Sequence, residues 1–163
     1  MSYLAACGHR KITFIGDSSD KQLGFTRGVL EKRLDYHENY VIATNEGEPF
    51  PEQRVAALLA NSLRPTAFIV DSQSYAFELI KLLKKLKVRI PDDYSLIVYD
   101  DIPEMERMEI PLTTVGPLIK KLASTAMEII SDKSWLGSKA WADIEIKCEL
   151  IVRKSTRQIE VIP

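Results

Sequence analysis

Cysteine and histidine are nearly missing from this chain, whose 163 residues hold two of each. Cys7 and Cys148 stand alone, with no CxxC pair and no neighbouring ligand set, and neither His9 nor His37 has a Cys, His or carboxylate at metal-ligand spacing. A zinc site and a disulfide framework are therefore excluded as organising features, and both cysteines are expected to be reduced and structural. No glycines are arranged as GxGxxG or GxxxxGK[ST], so neither a phosphate-cradling loop nor a bound cofactor is expected. Long apolar runs are missing too. Thr66 to Val70 and Leu96 to Tyr99 are among the longest, far short of the roughly 20 residues of a membrane span. The opening MSYLAACGHRK has too short an apolar core for a secretory signal, which points to a cytoplasmic protein. The formal net charge is −1 without a concentrated Lys/Arg face, and no helix-turn-helix is recognisable, so the chain is not expected to bind DNA by itself.

What is present is ordinary apolar and charged content, 45% and 28%, enough for one compact domain over 1–163. Short β-branched or aromatic runs alternate with amphipathic runs, which predicts an α/β fold with three αβα layers around a mostly parallel sheet. Strands are expected at Lys11 to Ile15, Tyr40 to Thr44, Thr66 to Val70, Ser95 to Tyr99 and within Ile144 to Val152, the last a half-buried edge strand by its period-two alternation. Three helices fall between the first four strands. One runs from Ser19 to about Arg33 with Leu23, Val29 and Leu30 among its apolar positions. A second follows Pro51 and buries Val55, Ala56, Leu58 and Leu59. The third spans Ser74 to Lys87, turning Leu79, Ile80, Leu82, Leu83 and Leu86 to the sheet and Lys81, Lys84, Lys85 and Lys87 to water. That lysine run reads as a solvated face, since no aromatics interleave with it. After Asp101 the pattern changes: a glutamate- and methionine-containing loop, an extended piece Leu112 to Val115, a helix from about Leu118 to Ser131, and a turn at Asp132 to Lys139.

Catalytic signals are weak. Ser18-x-x-Lys21 has the spacing of some acyl-transfer nucleophiles, but its companion motifs and any GxSxG elbow are absent, and no catalytic residue is assigned. His9 is expected to cap or orient the turn before the first strand. The acids at strand C-termini are the better candidates, because open α/β sheets bind ligands there. Asp71 ends the third strand and Asp100-Asp101 the fourth. Each can accept hydrogen bonds from a ligand or cap the next turn, and spacing does not choose between these.

Seven pieces occur in a fixed order: Gly8-His9-Arg10-Lys11-Ile12, Gly24-Phe25, Arg64-Pro65-Thr66-Ala67, Ile90-Pro91-Asp92-Asp93-Tyr94-Ser95-Leu96-Ile97, Tyr99-Asp100-Asp101, Pro111-Leu112-Thr113-Thr114-Val115 and Leu150-Ile151-Val152-Arg153-Lys154-Ser155-Thr156. Together they resemble the C-terminal half of lactose-repressor/galactose-repressor family regulators over nearly the whole chain. The resemblance implies a periplasmic-binding-protein-like C-terminal lobe of a two-lobed sensor, with segment Thr113 to Ser131 returning to a first lobe that is absent here. It further implies a small polar effector of sugar or nucleobase type, homodimerisation, and DNA contact only through an absent N-terminal head. By this resemblance Asp100 falls on the family's ligand-binding aspartate, and Lys21 stands where the family usually has an arginine, keeping the charge but not the planar fork. Gln73 replaces a common aspartate, with Ser72 at the adjoining ligand-facing position, and Asp17 on the loop after the first strand completes the candidate set. The leading reading is a non-enzymatic sensing module of a transcription regulator. A transport-type sugar-binding protein and an α/β hydrolase using Asp71 or Asp100 are the competitors, the second lacking a nucleophile–base pair.

Overall fold

The computed structural model describes residues 1–62, 64–131 and 144–160. The elements run α1 (Ser2–Ala6), β1 (Ile12–Gly16), α2 (Ser19–Glu31), a 3-10 turn (Glu38–Tyr40), β2 (Val41–Ala43), α3 (Glu52–Ala60), β3 (Ala67–Val70), α4 (Gln73–Lys85), β4 (Ser95–Tyr99), α5 (Pro103–Arg107), β5 (Thr113–Gly116), α6 (Ile119–Ser131) and β6 (Glu149–Ile151). They build one six-stranded sheet in the order β2-β1-β3-β4-β5-β6, with β6 alone antiparallel. The turn expected at 132–139 lies outside the described residues.

Alternation along the strands sorts the core into two halves, because successive side chains point to opposite faces. Ile15, Phe68, Val70, Leu96 and Val98 pack under α3 and α4 with Val55, Leu58, Ala76, Leu79 and Leu83. Ile12, Phe14, Ala67, Ile69 and Ile97 face α1 and α2 with Leu4, Phe25 and Val29. Covered on both faces, β1, β3 and the first four residues of β4 are buried throughout, as parallel strands require.

Several expectations are corrected. The first long helix ends at Glu31, since Arg33 adopts φ 51, a left-handed conformation that stops helical continuation. Leu23 and Leu30 are 69% and 67% exposed, on the side of α2 opposite Phe25 and Val29. Leu86 caps α4 and is exposed, rather than facing the sheet. Only Glu149–Ile151 of the expected last strand pairs, at the sheet edge as anticipated, and Ile144 and Leu150 are exposed. Thr113–Gly116 pairs with β4 in this sheet as β5. Cys148 is exposed and Cys7 half-buried.

Residues 153–159 form a strap beneath the strands. Ser155 exchanges backbone and side-chain bonds with Leu96 and receives the Thr113 N–H, Arg157 N–H reaches Ser95 Oγ, and Ile159 N–H reaches the Cys7 carbonyl. The strap thus joins β4, β5 and the turn after α1.

Candidate functional site

Strand order reverses between β1 and β3, and in such sheets the crevice beyond the strand C-termini at that point is where ligands bind. Asp71 sits at its floor. One carboxylate oxygen, Oδ2, accepts the backbone N–H groups of Asp17 (2.8 Å) and Ser18 (2.9 Å), closing the turn into α2, while Oδ1 has no hydrogen-bond partner. An alanine Cβ at Gly16 would land inside this carboxylate, so glycine is required by the close approach. Burial pushes the Asp71 carboxyl above its ordinary range against the lowering effect of those two hydrogen bonds. Of the two roles open to Asp71 from spacing, the side chain takes the capping one, for a turn 54 residues earlier.

Lys21, on the first turn of α2, is placed by Ser18, whose hydroxyl accepts the Lys21 N–H. Its ammonium donates to the Asp71 carbonyl at 2.8 Å, lies 3.9 Å from Asp100 Oδ2 and sits 4.8 Å from the centre of the Tyr99 ring. Asp100 adopts φ 64 at the end of β4, and a Cβ on Gly116 would stand 3.0 Å from its Cα, so β5 runs close against its backbone.

Its neighbour Asp101 accepts through Oδ1 from Arg153 (2.8 Å) and Thr114 (2.8 Å). Burial opposes its ionisation, but the hydrogen bonds from Arg153 and Thr114 and the Arg153 charge outweigh this and hold its carboxyl below the usual range. The stability it contributes is present above the unfolded pKa and is lost as pH falls through the lower folded value. Adjacent aspartates should therefore respond differently in urea melts. Asp101→Ala leaves the mostly buried Arg153 short of a partner and should cost about 2 kcal/mol, whereas Asp100→Asn, whose side chain tolerates positive φ, should stay within about 0.5 kcal/mol. Equal losses would show that both acids are structural.

A profile of the periplasmic binding protein-like domain matches residues 1–156. The chain belongs to that family. It corresponds to the C-terminal effector-binding region of lactose-repressor-family regulators, as the ordered motifs imply. Among its relatives, the HTH-type transcriptional repressor PurR of Photobacterium profundum is 30% identical over 93% of this chain and 47% of its own length. PurR of Haemophilus influenzae strain Rd is 30% identical over 96% and 49%. The chain thus spans about half the length of these relatives. A putative transcriptional regulator LacI of Bacillus cereus subsp. cytotoxis superposes with a TM-score of 0.81 at 22% identity, covering 98% of this chain and 58% of the other. A LacI family regulator of Enterococcus faecium with bound ribose gives 0.77 at 23%, covering 97% and 60%.

Within this periplasmic binding protein-like domain, the residues anticipated from sequence divide. Lys21 and Asp100 meet, and the Asp17 backbone joins them through Asp71. Ser72 instead caps α4, its hydroxyl accepting the Tyr75 N–H at 3.4 Å and lying 3.2 Å from Ser74 Oγ, and Gln73 opens that helix half-buried. Tyr99 was missed as a cleft residue although its motif was noted; its position just before Asp100 was the available signal. His9 does not serve only its own turn, since its buried ring bonds Thr66 Oγ1 at 2.9 Å and the Arg157 carbonyl at 3.1 Å. The α4 lysines are a solvated, paired face: Lys81 with Glu78, Lys84 with Glu109, Lys85 with Glu52. A concavity of about 1060 Å³ opens at the other end of the strands beside Arg10, Thr66, Tyr94 and Arg157. By strand polarity it is the wrong end for the effector. Among the described residues no group of three or more His, Cys, Asp or Glu gathers to hold a metal, and no helix is long and apolar enough to cross a membrane.

Proposed function

We propose that this chain is the effector-sensing and dimerisation part of a sequence-specific bacterial transcription regulator that acts in the cytoplasm without catalysis. The observation that carries the reading is the Lys21–Tyr99–Asp100 cluster at the strand C-termini of a domain whose relatives are repressors about twice as long. Asp100 supplies a carboxylate for ligand hydroxyl or amine donors, Lys21 a fixed ammonium, and Ser72, Gln73 and Asp17 the rim. The effector is a small polar molecule of sugar or nucleobase type; the ribose held by the Enterococcus faecium regulator supports the sugar class. Ligand binding would close this lobe against a first lobe, and the change in lobe angle would reach DNA through a separate head.

The segment from Pro117 onward supports two lobes. Helix α6 has no buried residue, and Ile119, Leu122, Met127 and Ile130 are all substantially exposed. Leaving such side chains in water forfeits about 1.5 to 3 kcal/mol each relative to burial. In the full sensor they would pack in the first lobe; in the isolated chain they would pair between copies. Light scattering on the isolated chain at micromolar concentration should give a dimer mass, and an operator fragment should show no gel shift with it even at low salt. A monomer with α6 protected from hydrogen exchange would refute the pairing, and a sequence-specific shift would refute the division of labour between sensor and head.

A further inference from the structure

The charge of the ligand follows from how Lys21 is used, taking the effector site as read above. An ammonium that clamps an anion must have a surplus of positive charge around it. Lys21 has none. One N–H is given to the Asp71 carbonyl at 2.8 Å, the charge lies over the Tyr99 ring, and Asp100 Oδ2 stands 3.9 Å away. Around it the same elements place Asp17 on the loop, Asp71 at the floor and Asp100 on the wall. Asp71 is 2% exposed and keeps an unpartnered oxygen beneath the loop, so the floor is acceptor-rich. Even with Asp71 set aside as a clamp, Asp17 and Asp100 exceed Lys21 by one negative charge. Arg153 does not balance them, being bound to Asp101 on the far side of β5.

We infer that the cleft of this chain selects a cationic, amine-bearing hydroxylated ligand and rejects phosphorylated or carboxylated ones. The ligand amine would meet Asp100, whose side chain is about half exposed and engaged only at 3.9 Å. Lys21 then holds Asp100 and the loop in place and has N–H groups left for ligand hydroxyl oxygens.

Nuclear magnetic resonance of the whole chain tests this without the natural effector. Cationic, neutral and anionic nitroxides of one ring skeleton report the local field by how strongly each broadens an amide. The amides of Lys21, Tyr99 and Asp100 should be broadened several-fold more by the cationic than by the anionic probe, and Asp100→Asn should shrink that ratio. Glucosamine, glucose and glucose 6-phosphate are then titrated against the same amides. Glucosamine should bind about tenfold more tightly than glucose, the effect of one favourable charge contact, and glucose 6-phosphate should be weakest. Tightest binding by glucose 6-phosphate, or a ratio favouring the anionic nitroxide, overturns the charge preference and leaves the effector reading standing. A field of the expected sign with no shift from any of the three sugars counts against the sugar class of the proposed effector.

Discussion

Gly16→Ala should destabilise the protein by about 3 to 5 kcal/mol, although it adds a single methyl group. Gly16 ends β1 directly against the Asp71 carboxylate, and the added Cβ would occupy the carboxylate's own space. Asp71 is 2% exposed and fixed by the N–H groups of Asp17 and Ser18. Moving it breaks two charge-assisted bonds of about 1.5 to 3 kcal/mol each. The loop that carries Lys21 would be released with them. Denaturant melts of Gly16→Ala, Asp71→Ala and the double variant should show strong non-additivity, the double variant being more stable than the two single losses predict, because Asp71→Ala removes the obstacle. Strict additivity would mean that the contact is relieved some other way.

The second large effect belongs to His9→Ala, expected at about 2 to 4 kcal/mol from two lost buried hydrogen bonds and the cavity left behind. The ring joins the turn before β1 to Thr66 before β3 and to the strap at Arg157, so its loss loosens three distant segments together. A pH signature accompanies it. Burial lowers the His9 pKa, opposed by the hydrogen bond to the Arg157 carbonyl and reinforced by the Arg157 charge. The unfolded chain therefore takes up the proton first, so stability is full above the unfolded value near 6.5 and declines as pH falls below it. Asp71, with its raised pKa, contributes the opposite slope on acidification, which makes subtraction necessary. Melts between pH 7.5 and 5.5 should show a stability loss in the parent protein that is absent from His9→Gln. Parallel slopes would place the titration elsewhere.

Much of the fold was legible because burial leaves a periodic record. Ala67–Val70 and Ser95–Tyr99 are continuous apolar runs, and the structure places both in the buried middle of the sheet. Helix α4 likewise announced its lysine and leucine faces. Elements that rest on one tertiary contact left no such record: α1 is five residues long and enters the core through Leu4, and α5 does so through Met105. Periodicity also misled at Ile144 to Val152, where the alternation is genuine but Ile144, Leu150 and Val152 on its apolar side are exposed. At the site, the resemblance pointed to Lys21 and Asp100, whose charged atoms lie 3.9 Å apart. The Asp71 clamp was beyond sequence, since capping and ligand binding ask for the same residue type at a strand end, and only the position of the 16–18 turn distinguishes them.

The strap at 153–159 has a temporal consequence. It is translated after both halves of the core, yet the His9 imidazole, the Cys7 carbonyl, Ser95 Oγ and the Leu96 backbone all take partners from it. A nascent chain in which β1 to β5 have already emerged therefore still lacks the groups that satisfy the underside of its sheet. Buried donors and acceptors left open in this way make the partly synthesised domain hydrated and easily cut. On the ribosome the sheet would remain loose until the strap arrives, and premature stops before Arg153 would yield protease substrates rather than short sensors.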